Sequence, residues 1–161
     1  MSKTLEERIL ELEAREEIKE VIARYNHGFD KKDEELFMDV WENDAVWDFG
    51  DPGDTCSNKQ EILEKTRTNW RYFPETHHYS MNTVISLEID NGNATSVTDV
   101  DATATNMVGV PLVISATYRD KLSNRTGKWR FTERKIKIHY MTPVLEPWSN
   151  NPETRINPKM G

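Results

Sequence analysis

The sequence predicts an α+β domain in which N-terminal helices pack on a strongly curved, mainly antiparallel sheet, and three observations carry that expectation. Apolar residues recur at three- and four-residue steps from Leu5 to Tyr25 and helix caps follow at Asp33 and Ser57, the pattern changes to period two from His77 onward, and Asn91-Gly92 supplies a hairpin signal between two strand-like runs. Helices first and strands second is the order of an α+β chain.

The first helix is expected from about Lys3 to Gly28. Thr4-x-x-Glu7 is a capping box, and Leu5, Ile9, Leu12, then Ile18, Val21, Ile22 and Tyr25 form its stripe. The stripe changes phase near Ala14, so the first turns are expected to pack on something other than the core, such as a neighbouring subunit. Gly28 is expected to terminate this helix, and Asp33, Glu34 and Glu35 to open a second one running to about Trp41, with Asp30 in the corner between them. The run AVWDF reads as a short strand and GDPGDTC as a loop. Ser57-x-x-Gln60 then caps a third helix reaching roughly Trp70.

HHYSMNTVISLEI and ATSVTDVDATAT flank the Asn91-Gly92 turn, and LVISATYRDKL and KWRFTERKIKIHYM supply two further strands. The stretch 143–161 holds four of the seven prolines and has no periodicity. It is expected to be an extended tail on a single domain over residues 1–142.

The chain has 161 residues, 36% of them hydrophobic and 30% charged, which is the composition of one soluble globular domain. A formal charge of −7 argues against nucleic acid or an anionic membrane as partner, and leaves a small molecule as the expected ligand. The opening MSKTLEERILELEAREE lacks the apolar core of a signal peptide and Cys56 is the single cysteine, so a cytoplasmic location is expected.

Two of the four histidines stand side by side in PETHHYSMN. Strand side chains alternate, so at most one of the pair faces an enclosed pocket. Strict alternation puts His77, Tyr79, Met81, Ile85, Leu87 and Ile89 on one face, and His78, Ser80, Asn82 and Ser86 on the other. The polar row is either the solvent side or the lining of a pocket, and in the second case His78 points inward with Asn82 beside it. An imidazole in a pocket becomes a proton acceptor when a carboxylate holds its tautomer, and Asp30 is the carboxylate of choice. Its competing reading is a turn aspartate capping the next helix.

Other constellations are weaker. There is no phosphate-binding glycine loop, nucleophile elbow or His-Glu-x-x-His, and the spacing of His77, His78 and His139 does not define a metal site. No cofactor or metal is expected. Cys56 sits among acidic residues, which raises a thiol pKa and argues against a nucleophile. RDKLSNRTGKWR reads as a solvated hairpin turn.

The segments GFDKKDE, WENDAVW, ETHHYSMN, SATYRDKL, GKWRF and YMTPV, in this order and spacing, resemble SnoaL-like proteins of the nuclear transport factor 2-like superfamily. Within that group the chain looks most like the hexachlorocyclohexane dehydrochlorinases, with scytalone dehydratase and bile-acid 7-alpha-dehydratase as more distant relatives. The resemblance implies a cone-shaped α+β barrel, a His78–Asp30 dyad, and Tyr25, Trp47 and Arg134 in the pocket. It also implies a homo-oligomer, with a trimer favoured. Asp99 and Asp101 depart from the apolar pocket of the dehydrochlorinases; they are expected either to pair with a cation, for which Arg134 is one candidate, or to bind polar groups of a substrate, so a hydroxylated, partly apolar molecule is the expected ligand. The expected activity is a cofactor-free 1,2-elimination that expels water, halide or a small carbonyl fragment such as formaldehyde. The alternatives are a small-ligand-binding module of the same fold, and an isomerase in which Asp99 or Asp101 shuttles a proton.

Overall fold

The structure, a computed structural model, describes residues 3–51 and 53–145. Helix α1 (Leu5–Lys31) opens on the expected capping box: Thr4 accepts from the Glu7 amide, and the Glu7 carboxylate accepts from the Thr4 amide. Its early apolar residues Leu5, Ile9 and Leu12 are exposed, and burial begins at Ala14, where the stripe shifts.

The helix runs past Gly28 and ends at Lys32, which adopts the left-handed conformation with φ 56°. Gly28 serves a different purpose from the expected stop. A Cβ there would lie 2.6 Å from the Phe37 amide nitrogen, so the missing side chain lets α2 (Glu34–Asp39) cross against α1. Asp33 caps α2 through the Leu36 amide. The second helix is shorter than expected, because Trp41 already opens strand β1 (Trp41–Asp48). Strand β2 (Thr55–Cys56) leads into α3 (Lys59–Tyr72), whose N-cap is Asn58 with Glu61, one residue later than Ser57 with Gln60.

Four long strands follow: β3 (Glu75–Glu88), β4 (Asn93–Thr105), β5 (Pro111–Ser123) and β6 (Arg130–Pro143). The turn from β3 to β4 is a 3₁₀ turn over Ile89–Asn91 closed by Gly92 at φ 60°, longer than a two-residue Asn-Gly hairpin. The sheet order is β2-β1-β6-β5-β4-β3, and every pairing is antiparallel except β1 with β6. The three helices pack on this six-stranded curved sheet, and β3 is its edge, lying against α1.

The core is aromatic. Tyr25 and Phe29 of α1, Phe37 of α2, Trp41 and Trp47 of β1, Tyr118 of β5 and Phe131 of β6 form one cluster of mostly tilted and edge-on rings. Among the described residues no helix is long and apolar enough to cross a membrane. Pro143 belongs to β6; the proline-rich tail expected beyond it lies, from residue 146, outside the described residues.

Candidate active site

Asp30 sits on the last turn of α1, facing edge strand β3. Its Oδ1 lies 2.6 Å from His78 Nδ1 and accepts a hydrogen bond from Thr76 Oγ1 at 2.8 Å, while Oδ2 accepts from the His78 amide at 2.8 Å. A carboxylate only accepts, so His78 Nδ1 carries a proton, and in the neutral imidazole Nε2 keeps its lone pair. The pair is largely enclosed, with side chains 13% exposed for His78 and 9% for Asp30. Burial pushes the Asp30 pKa up, but the imidazole beside it, the His78 amide and the Thr76 hydroxyl outweigh burial and hold the carboxyl below its ordinary value. Phe29, the residue before Asp30, packs edge-on against the imidazole at 5.5 Å and 85°. Asp30 therefore does not cap α2, which is the task of Asp33.

A groove of about 450 Å³ runs between α1 and β3 beside this pair. Ile22, Ala23 and Asn26 line it from the helix, and Ser80, Met81 and Asn82 from the strand. Thr76, His78 and Ser80 face inward, as alternation requires, and His77 and Tyr79 face outward with their rings stacked at 4.8 Å. Strict alternation fails after Met81. The register with β4 shifts there, and Asn82 adopts φ 55°, so beyond the bulge Thr83, Ile85 and Leu87 turn inward. Ile85 and Leu87 thus share the face of His78, not that of His77. Asn82 stands at the bulge on the rim of the groove, with Nδ2 3.4 Å from Asp99 Oδ2.

Tyr25, Trp47 and Arg134 come together in the interior and do not line the groove. The Arg134 guanidinium lies 4.1 Å from the ring centres of Tyr25 and Phe131 and 4.5 Å from that of Tyr118. Phe29 stands between this cluster and His78, its ring 6.5 Å from those of Tyr25 and Trp47. Arg134 pairs with Asp120, which the sequence reading had missed, through Nε at 2.7 Å and Nη2 at 2.8 Å, and Ser96 donates to the same carboxylate. Burial alone would lower the Arg134 pKa, but the Asp120 carboxylate outweighs it and keeps the guanidinium charged. Burial pushes Tyr118 up to about 12, against the pull of that guanidinium, and raises Tyr25 well above its ordinary value. Three buried donors here, Trp41 Nε1, Trp47 Nε1 and Arg134 Nη1, have no partner.

The expectation for Asp99 and Asp101 is overturned. Both lie on the exposed, outer residues of β4, opposite in parity to Val100 and Ala102, so neither lines the groove nor meets Arg134. Asp99 instead accepts from Thr117, which also contacts His139 on the same outer face. The isomerase alternative built on these two carboxylates loses its proton shuttle with them. The Cys56 thiol is raised as expected, mainly by burial, with Glu61 and Asp54 adding to it. Among the described residues no group of three His, Cys, Asp or Glu side chains could hold a metal ion. Thr76, Asn26 and Phe29 also escaped the sequence reading; Thr76 and Asn26 were recoverable, standing two strand residues from His78 and one helical turn from Asp30.

The family model for the SnoaL-like domain matches residues 10–135. The chain belongs to the SnoaL-like family. This SnoaL-like chain is 24% identical over 116 residues to the gamma-hexachlorocyclohexane dehydrochlorinase of Sphingobium indicum, covering 71% of the chain and 74% of that protein. It is 22% identical over 134 residues to hexachlorocyclohexane dehydrochlorinase 1 of the same species, covering 83% and 86%. A solved type 2 hexachlorocyclohexane dehydrochlorinase superposes with a TM-score of 0.78 at 23% identity, over 89% of this chain and 97% of the other. A Novosphingobium aromaticivorans structure provisionally named scytalone dehydratase gives 0.76 at 16% identity, over 85% and 91%. At these identities the superpositions establish the SnoaL-like fold.

Proposed function

We propose that the protein is a cofactor-free lyase for small, partly apolar cyclic or aromatic molecules, with His78 as the base of a 1,2-elimination. The observation that carries this reading is the 2.6 Å contact between His78 Nδ1 and Asp30 beside a groove of about 450 Å³. Fixing the proton on Nδ1 leaves Nε2 to take a proton from substrate carbon, and Asp30 stabilises the imidazolium that forms. The C–H electron pair becomes the new double bond, and hydroxide or halide departs from the neighbouring carbon with its bonding pair. In the variant that loses formaldehyde, His78 takes the proton of a hydroxymethyl O–H, that pair forms the carbonyl, and the broken C–C pair forms the new double bond as the leaving group on the next carbon departs with its own pair. Positioned acid–base catalysis contributes about 10²–10⁴-fold, so orientation in the groove and fixed dipoles supply the remainder. Relatives named as dehydrochlorinases support an elimination in particular.

Phe29 packs against both the Tyr25 ring and the His78 imidazole, and Tyr25 and Arg134 do not line the groove, so help to the leaving group from either requires this packing to rearrange. The second reading, a ligand-binding module, follows from the same groove. The exposed Leu5, Ile9 and Leu12 are the surface a homotrimer is proposed to use, and sedimentation reads the number of chains.

The test is a mass-spectrometric turnover screen of hydroxylated and halogenated cyclic compounds that carry an acidic C–H beside the leaving group. Loss of water, hydrogen halide or formaldehyde, absent with His78→Ala, is the expected result. Retained ligand with unchanged mass identifies a binding module and rejects the lyase.

A further inference from the structure

We propose that Asn26 selects the substrate, accepting a hydrogen bond from a hydroxyl group of the molecule whose acidic carbon faces His78. The inference deepens the elimination reading and rests on the same groove.

Helix α1 and strand β3 meet through two parallel rungs. One is Asp30 with His78; the other is Asn26 with Ser80, where Asn26 Nδ2 donates to Ser80 Oγ at 2.8 Å. The spacings match because the four residues from Asn26 to Asp30 rise about 6 Å along a helix, and two residues of strand advance about 6.7 Å. All four residues line the groove. The two rungs differ in one respect. Both oxygens of Asp30 are engaged, whereas Asn26, only 8% exposed, leaves Oδ1 with no partner.

A buried amide oxygen without a donor is costly, and its pairing with a ligand recovers that cost in binding. Ser80 holds the amide by its nitrogen, so the free atom is an acceptor and the complementary group is a donor. Around it the groove offers Ile22, Ala23 and Met81, which suit the carbon skeleton of a ring. A ring with its acidic C–H at His78 and a hydroxyl on the far side spans the two rungs. An ether or a bare C–H at that place leaves Oδ1 orphaned. Sites that hydrogen-bond a substrate group reject the analogue lacking it more strongly than apolar pockets reject a missing methylene.

The test compares 4-hydroxycyclohexanone, 4-methoxycyclohexanone and cyclohexanone as probes of the wild-type chain, with binding followed by the side-chain amide signal of Asn26 and the ring signals of His78. The expected result is that the hydroxyl probe binds about tenfold or more tightly than the other two. Asn26→Leu should erase the preference and Ser80→Ala should weaken it. Equal binding of the three probes, failure of the hydroxyl probe to bind, or a preference that survives Asn26→Leu overturns the proposal. The wild-type comparison stands even where a variant fails to fold. Because binding is read and not turnover, selective binding of the probe together with no conversion in the turnover screen rejects the lyase reading and leaves the role of Asn26 intact.

Discussion

Replacing Asp30 by Asn changes one atom and confronts the site with a choice it cannot satisfy. Asp30 accepts from three donors: Thr76 Oγ1 and the His78 ring at Oδ1, and the His78 amide at Oδ2. An amide has one acceptor and one donor end. If its oxygen takes the Oδ1 place, its NH₂ meets the His78 amide at about the 2.8 Å of the present bond, and a buried N–H is orphaned. Loss of one such bond to a charged acceptor is worth about 1.5–3 kcal/mol. If the oxygen takes the Oδ2 place, the NH₂ faces Nδ1, the imidazole must move its proton to Nε2, and the base is gone, with a loss of about 10²–10⁴ in rate. Urea denaturation reads the first outcome, and nitrogen chemical shifts of His78 with the turnover rate read the second. A variant that keeps wild-type stability, the Nδ1–H tautomer and its rate together would refute this account of the pair.

Four further outcomes follow from the same packing. The Asp30 pKa is lowered on folding, so its contribution is fully present above the ordinary carboxylate value of 3.8 and is lost as the pH falls through the lower folded value; the stability gap between wild type and Asp30→Asn, measured by urea titration, should shrink over that window. Tyr118 is raised from 10.0 to about 12, so its contribution is lost as the pH rises between those values, and absorbance at the phenolate band should show it ionising together with unfolding. Arg134→Met strands the buried Asp120 carboxylate and should cost about 3–5 kcal/mol by urea titration, most of which Asp120→Leu in the same chain should restore. Gly28→Ala drives a methyl against the Phe37 backbone at 2.6 Å and should cost about 1–3 kcal/mol or more, where a merely permissive helix glycine would gain stability.

Local rules were legible where a short segment carries its own partner. Thr4 and Glu7 cap each other, Asp33 caps α2, and the phase shift at Ala14 marks where burial starts. The inward direction of His78 was legible too, because alternation holds from Thr76 to Ser80. It failed at Asn82, whose left-handed backbone inserts a bulge that no period of two can anticipate, and Ile85 and Leu87 changed faces as a result. Gly28 was misread because its role depends on Phe37, nine residues away across a helix crossing. Asp120 was hidden inside a charged run, although its parity with Tyr118 and Leu122 places it on the buried face. Asp99 and Asp101 illustrate the reverse error, since the same parity rule applied to β4 puts them with Val97 on the outer surface.

The central claim is that His78, oriented by Asp30, removes a proton from carbon. The most direct measurement takes the compound converted in the turnover screen, deuterated at the acidic carbon, and follows wild type and His78→Ala side by side. The account predicts a primary isotope effect and loss of the label to solvent in wild type, with a folded but inactive His78→Ala. Comparable rates in the two proteins would contradict it.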